Sequence, residues 1–111
     1  RRGRRGVKMK QPDCCLTIVF PKGLEENMID HLLEHPELAS GFTTYEVEGH
    51  GQVAVYHSVN ERVRGRAQRV KMEVVMDHED AQTLIAHFRE SLPSRDIAYW
   101  IAPINEFGRF A

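Results

Sequence analysis

The fold class this sequence predicts is an α+β sandwich built in the order β-α-β-β-α-β, and three observations predict it. Two stretches have helical periodicity, and each is closed by a proline, Pro36 and Pro93. Four stretches read as strands: one before the first helix, two between the helices and one after the second. The chain has 111 residues, 41% of them hydrophobic and 28% charged, which suits a single domain with one core.

Residues 13–20 form a short apolar run with β-branched members, read as a buried strand. Pro21-Lys22-Gly23 breaks it. Leu24, Met28, Ile29, Leu32 and Leu33 then recur at helical spacing, with Glu25, Glu26, Asp30 and Glu34 on the other face. The acidic first turn favours the positive end of the helix dipole, and the helix stops near His35 because Pro36 disfavours helical geometry before it. The second strand spans Phe42 to Glu48, opened by Gly41 and ended or bulged at Gly49-His50-Gly51. Val53, Val55 and Tyr56 extend it or form a short strand of their own.

A polar connection of about twenty residues follows, with Arg62, Arg64 and Arg66 in near alternation. It is too long for a hairpin turn, and such connections in small domains are often where ligands or partners bind. The third strand, Arg69 to Asp77, is the clearest. Val70, Met72, Val74 and Met76 face one side; Arg69, Lys71, Glu73 and Asp77 face the other. Asp77 caps the second helix with Asp80 in the answering position, and Ala81, Leu84, Ile85, Phe88 and Leu92 form its buried stripe. The fourth strand, Ile97 to Ile104, is apolar on both faces, and a tail carries Phe107, Arg109 and Phe110.

This order is the ferredoxin-like arrangement. Right-handed crossovers put both helices on one face of an antiparallel sheet. The other face, with Cys15, Thr17, Val19 and part of the fourth strand, is then partly apolar and calls for a partner, most simply another copy of the chain.

The net charge of −1 hides an asymmetry. Six of the fifteen basic residues fall in 1–10, before the first acid, Asp13, so residues 11–111 carry a balance of −7. Residues 1–11 are expected to be a disordered basic arm, and 12–111 a single domain. Such an arm can attract nucleic acid, but no nucleic-acid partner is expected: the third strand lacks the stacking aromatics of an RNA-recognition sheet. No apolar run is long enough to span a membrane, and the cytoplasm is the expected location. Cys14 and Cys15 are adjacent, so a bond between them would be strained, and no disulfide framework is expected.

No catalytic constellation, Walker loop or dinucleotide fingerprint is present, so an enzyme is not expected. Among the six histidines, His31 and His35 share a helix face at a spacing that can hold a metal. His50 and His57 bracket the turn after the second strand and could join Cys14 or Cys15 around a transition-metal ion. The arginines make the stronger case. Arg64, Arg66, Arg69, Arg95 and Arg109 are expected to converge near one sheet end, where arginine forks suit phosphate or carboxylate and the Gly49 and Gly51 backbone allows close approach. Read more plainly, they are solvated charges paired with the surplus acids.

The run Gly-Phe-Thr-Thr-Tyr-Glu-Val-Glu-Gly-His-Gly at 41–51, Val63-x-Gly65-Arg66, Arg69 to Val75, and the closing Tyr99-Trp100-x-x-Pro103 resemble the PII-like signalling superfamily over about 14–109. More narrowly, they resemble the small PII-like family encoded beside heavy-metal efflux pumps of the resistance-nodulation-division type. The resemblance implies a homotrimer without enzymatic activity that binds a small anionic effector, often an adenine nucleotide, in clefts between subunits and regulates a transporter, here a membrane metal-efflux system. By position, Gly49, His50 and Gly51 would line the cleft, and Arg66, Arg69, Arg95 and Arg109 would meet the ligand. The connection after the second strand is shorter than in signalling PII proteins, and Pro93-Ser94-Arg95-Asp96 stands in place of their glycine-rich turn. The alternative is a direct metal-binding protein of the cation-tolerance type, with His50 and His57 as ligands.

Overall fold

A computed structural model describes residues 11–39, 41–50, 67–92 and 94–111. The elements are β1 (Cys14–Pro21), a 3-10 turn (Lys22–Leu24), α1 (Glu25–Leu33), β2 (Thr43–Gly49), β3 (Ala67–Met76), α2 (His78–Ser91) and β4 (Ala98–Pro103). The sheet order is β2-β3-β1-β4, with every neighbouring pair antiparallel. This is the predicted ferredoxin-like sandwich.

Period-two alternation decides which face each strand residue takes. On one face Cys14, Leu16, Ile18 and Phe20 of β1 stand opposite Met76, Val74, Met72 and Val70 of β3. All eight are buried, and they meet Met28 and Leu32 of α1 and Ala81, Leu84, Ile85 and Phe88 of α2 in one core. Leu33, expected in the α1 stripe, is 64% exposed instead. Each helical residue turns about 100° from the last. With Met28 and Leu32, four apart, pointing at the sheet, Leu33 is carried round past the core edge.

Two carboxylates start α2. Asp77 Oδ2 accepts from the Glu79 amide at 3.0 Å, and Asp13 Oδ1 accepts from the His78 amide at 2.9 Å. Two of the amides that a helix start leaves without a partner are thereby satisfied. Asp13 also extends both ladders of β1, donating its amide to Met76 O and accepting from the Ile104 amide.

The open face of the sheet carries Cys15, Thr17 and Val19 of β1, Ala98, Trp100 and Ala102 of β4, Lys71, Glu73 and Val75 of β3, and Tyr45 of β2. Tyr45, Val75 and Trp100 are 41%, 39% and 46% exposed. The Lys71 ammonium lies 5.7 Å from the centre of the Tyr45 ring and 5.6 Å from that of Trp100. Trp100 is two strands away from Lys71, so its indole leans across β1 to reach the ammonium. Thr17, its direct partner on β1, is only 4% exposed as a result. The sequence marked this face as partly apolar but gave no sign of the two-ring clamp on Lys71.

Candidate functional site

The strand register fixes which residues share an end of the sheet. Val47, Arg69 and Pro21 form one row across β2, β3 and β1. Gly49 pairs with Ala67 beyond that row, and His50 follows it. Ala98, the first residue of β4, pairs with Val19, so the α2–β4 connection enters at the same end. Gly49, His50, Arg69 and Arg95 therefore occupy one end of the sheet.

Arg69 is tied to that connection. Its Nη1 donates to the Asp96 carbonyl at 3.3 Å, and the Asp96 amide in turn donates to Ser94 Oγ at 3.0 Å. The two bonds hold a tight Ser94-Arg95-Asp96 turn, with Arg95 exposed at its tip. A cavity of about 460 Å³ opens beside it, lined by Pro21, Gly23, Leu24, Ser94, Asp96 and Ile97 among others. Lys22, also at this end, is engaged: its Nζ donates to Glu46 Oε2 at 2.8 Å, and this bond, then the charge of Glu46, raises the lysine's pKa. Both side chains are largely exposed, so the pair adds little to stability.

Strands lie about 4.8 Å apart, so β2 and β4 are separated by about 14 Å across the sheet. Gly49 ends β2 and Arg95 precedes β4; Arg69, on β3 between those strands, is the group tied to the α2–β4 connection.

Arg109 does not join this cluster. β4 runs antiparallel to β1 and ends with Pro103 opposite Cys14, so the chain leaves the sheet at its other end. There the Arg109 guanidinium stacks 5.6 Å from the centre of the Phe107 ring. The expected convergence thus holds for Arg69 and Arg95 and fails for Arg109 within one subunit. Gly51, His57, Arg64 and Arg66 lie outside the described residues, as does the stretch 53–56.

The histidine expectations resolve differently. His31 packs edge-on against Phe88, with ring centres 5.6 Å apart. His35 stacks on His87 of α2 at 4.5 Å, and its Nδ1 is 3.5 Å from Glu37 Oε2. The two ring contacts join α1 and the turn after it to α2, and are invisible to spacing along one helix. Among the described residues no group of three or more His, Cys, Asp or Glu side chains could hold a metal ion. Cys14 is not available to His50 within one subunit: it sits at the far end of β1, buried on the core face, with its thiol donating to Met76 O at 3.3 Å. Burial, followed by the charge of Asp13, pushes its pKa above the ordinary 9.0. It therefore stays a protonated thiol, a poor ligand and a poor nucleophile.

PII-like proteins share a fold of this order and packing. Residues 10–111 match the family described as a protein of unknown function, DUF3240, and the chain belongs to that family. A DUF3240 family protein from Shewanella baltica OS155 superposes with a TM-score of 0.72 at 18% identity, covering 93% of this chain and all of that one. CPII from Thiomonas intermedia K12, a nitrogen regulatory PII-like protein bound to ADP, AMP and bicarbonate, gives 0.67 at 16% identity over 88% of this chain and 94% of its own. A candidate PII-like signalling protein from Thermus thermophilus gives 0.61 at 21% identity, covering 85% of this chain and 88% of its own. No curated protein matches. Among the described residues, no helix is long and apolar enough to cross a membrane.

Proposed function

We propose that this chain is the subunit of a non-enzymatic PII-type regulator. It assembles as a homotrimer through the open sheet face and binds a small anionic effector, an adenine nucleotide, at the sheet end carrying Gly49, His50, Arg69 and Arg95. The observation that carries the reading is the Arg69–Asp96 tie, which sets two arginines and a cavity at one sheet end of a fold shared with CPII, a protein bound to ADP and AMP. Arginine forks supply the charge-assisted hydrogen bonds that phosphates need. A neighbouring subunit closes the site and supplies Arg109 across the seam, as the sequence resemblance implies. The regulated partner is a membrane metal-efflux transporter, as the sequence resemblance implies, and the protein acts in the cytoplasm.

Calorimetric titration of the assembled protein with AMP and ADP tests the effector reading. Saturable heat is expected, and Arg69→Gln should weaken it by about tenfold or more, the worth of one charge-assisted bond. Absence of heat with AMP, ADP and ATP overturns it. For the partner, pull-down of the transporter from membranes should change with added nucleotide; capture indifferent to nucleotide would remove the regulatory link.

A further inference from the structure

A second cavity lies on the helix side of the sheet, under the β4 edge and away from the open face. It measures about 170 Å³, and Ile18, Ile85 and Phe88 form its floor. Each of these is no more than 6% exposed, so the cavity reaches the core. Its polar groups are Arg89, Ser94 and Tyr99.

The hydrogen-bond accounting of those three groups is one-sided. Arg89 Nη2 donates to the Tyr99 hydroxyl at 2.9 Å, and the guanidinium lies 5.4 Å from the centre of the Tyr99 ring. Tyr99 Oη therefore accepts there and keeps its own proton to give. Ser94 Oγ accepts from the Asp96 amide and likewise keeps its proton. Arg89 has four further N–H groups and no carboxylate partner among the described residues, and no carboxylate lines the cavity. Three donors without a competing acceptor, one of them a cation, select an anion with acceptor oxygens. The apolar floor selects an uncharged body below it. An apolar cavity of roughly 150 Å³ holds a benzene ring, so this one matches a body of that size.

From this we infer that the cleft between α2 and β4 is a binding site for a small amphiphilic monocarboxylate, an aromatic or branched aliphatic acid. Its apolar body rests on Ile18, Ile85 and Phe88, and its carboxylate meets Arg89, Tyr99 and Ser94. The cleft adjoins the sheet-end cavity and shares Leu92, Ser94 and Ile97 with it, but its assignment does not rest on the nucleotide reading.

Benzoate is the probe, and benzyl alcohol is the neutral control of matching shape. Amide and side-chain resonances of the assembled, isotope-labelled protein are followed during each titration. Benzoate should shift Phe88, Arg89, Ser94 and Tyr99 with saturation below about 10 mM, and benzyl alcohol should bind about tenfold more weakly or worse. Arg89→Gln should cost a similar factor. Arg89 is exposed, so that variant should fold, as its unchanged spectrum outside the cleft will show. Tyr99→Phe, which removes one donor and keeps the ring, should weaken benzoate by a smaller factor. No shifts at these residues, equal affinity for the alcohol, or full affinity in Arg89→Gln would each overturn the inference. A parallel titration with AMP, followed at Gly49 and Arg69, which do not line this cleft, reads the sheet end separately, and shifts at Phe88, Arg89 and Tyr99 read the cleft, so either result stands by itself.

Discussion

Replacing Trp100 with alanine tests the assembly reading most directly. The side chain is 46% exposed in the single subunit. A tryptophan presents up to about 250 Å², so roughly 115 Å² remains to be covered when the open face meets a neighbour. At about 25 cal/mol per Å² this is worth about 3 kcal/mol, of which alanine retains about a third, leaving about 2 kcal/mol lost per subunit. Three subunits lose about 6 kcal/mol, and the midpoint concentration of a monomer–trimer equilibrium moves by the square root of that effect, about a hundredfold. The loss of the Lys71 contact adds to it, because a cation–π pair strengthens once water is excluded. Sedimentation equilibrium over a wide range of concentrations reads the midpoint, with far-ultraviolet dichroism to show that the variant is folded. A wild-type chain that stays monomeric, or a folded Trp100→Ala protein with an unmoved midpoint, would refute the use of this face.

Phe20→Ala removes a fully buried ring from the centre of the core and should cost about 3–5 kcal/mol in urea unfolding; a loss below about 1 kcal/mol would mean the core collapses onto the gap. Asp77→Ala removes the acceptor for the Glu79 amide and should cost about 0.5–2 kcal/mol, whereas Asp77→Asn should recover most of it. Cys14 gives a pH signature of definite sign. Its folded pKa lies above the unfolded value, so its contribution to stability is complete below the unfolded pKa and is lost as pH rises through the folded one. Melting temperature should therefore fall more steeply on the alkaline side in the wild type than in Cys14→Ala, and parallel curves would contradict the shift. In the dissociated subunit a thiol reagent at neutral pH should modify Cys15, which is half-buried there, well before Cys14, and assembly through the open face should slow the Cys15 reaction.

The scaffold is legible because its signals are local. The alternation of Val70, Met72, Val74 and Met76 sets the core face of β3, and Pro36 and Pro93 mark where the helices have to stop. Boundaries differ by a residue or two: β2 runs on through Gly49, and β3 begins at Ala67. Leu33 departs from its expected place because apolar spacing along a short helix does not say where the partner sheet ends. Arg69 and Arg95 share one end of the sheet, since strand order alone brings them there. Arg109 does not, because the antiparallel run of β4 carries the tail away. What stays hidden depends on side chains meeting between elements. His35 on His87, Arg89 on Tyr99 and Lys71 between two rings each join residues whose sequence neighbours give no hint of the encounter.

The chain contains one tryptophan, and it stands on the sheet face assigned to self-association. Its emission is therefore a label already in place: a half-wet indole emits to the red, and an indole sealed between subunits emits to the blue. A dilution series followed in a fluorimeter would watch that single chromophore cross from one environment to the other, with no dye, tag or substitution introduced.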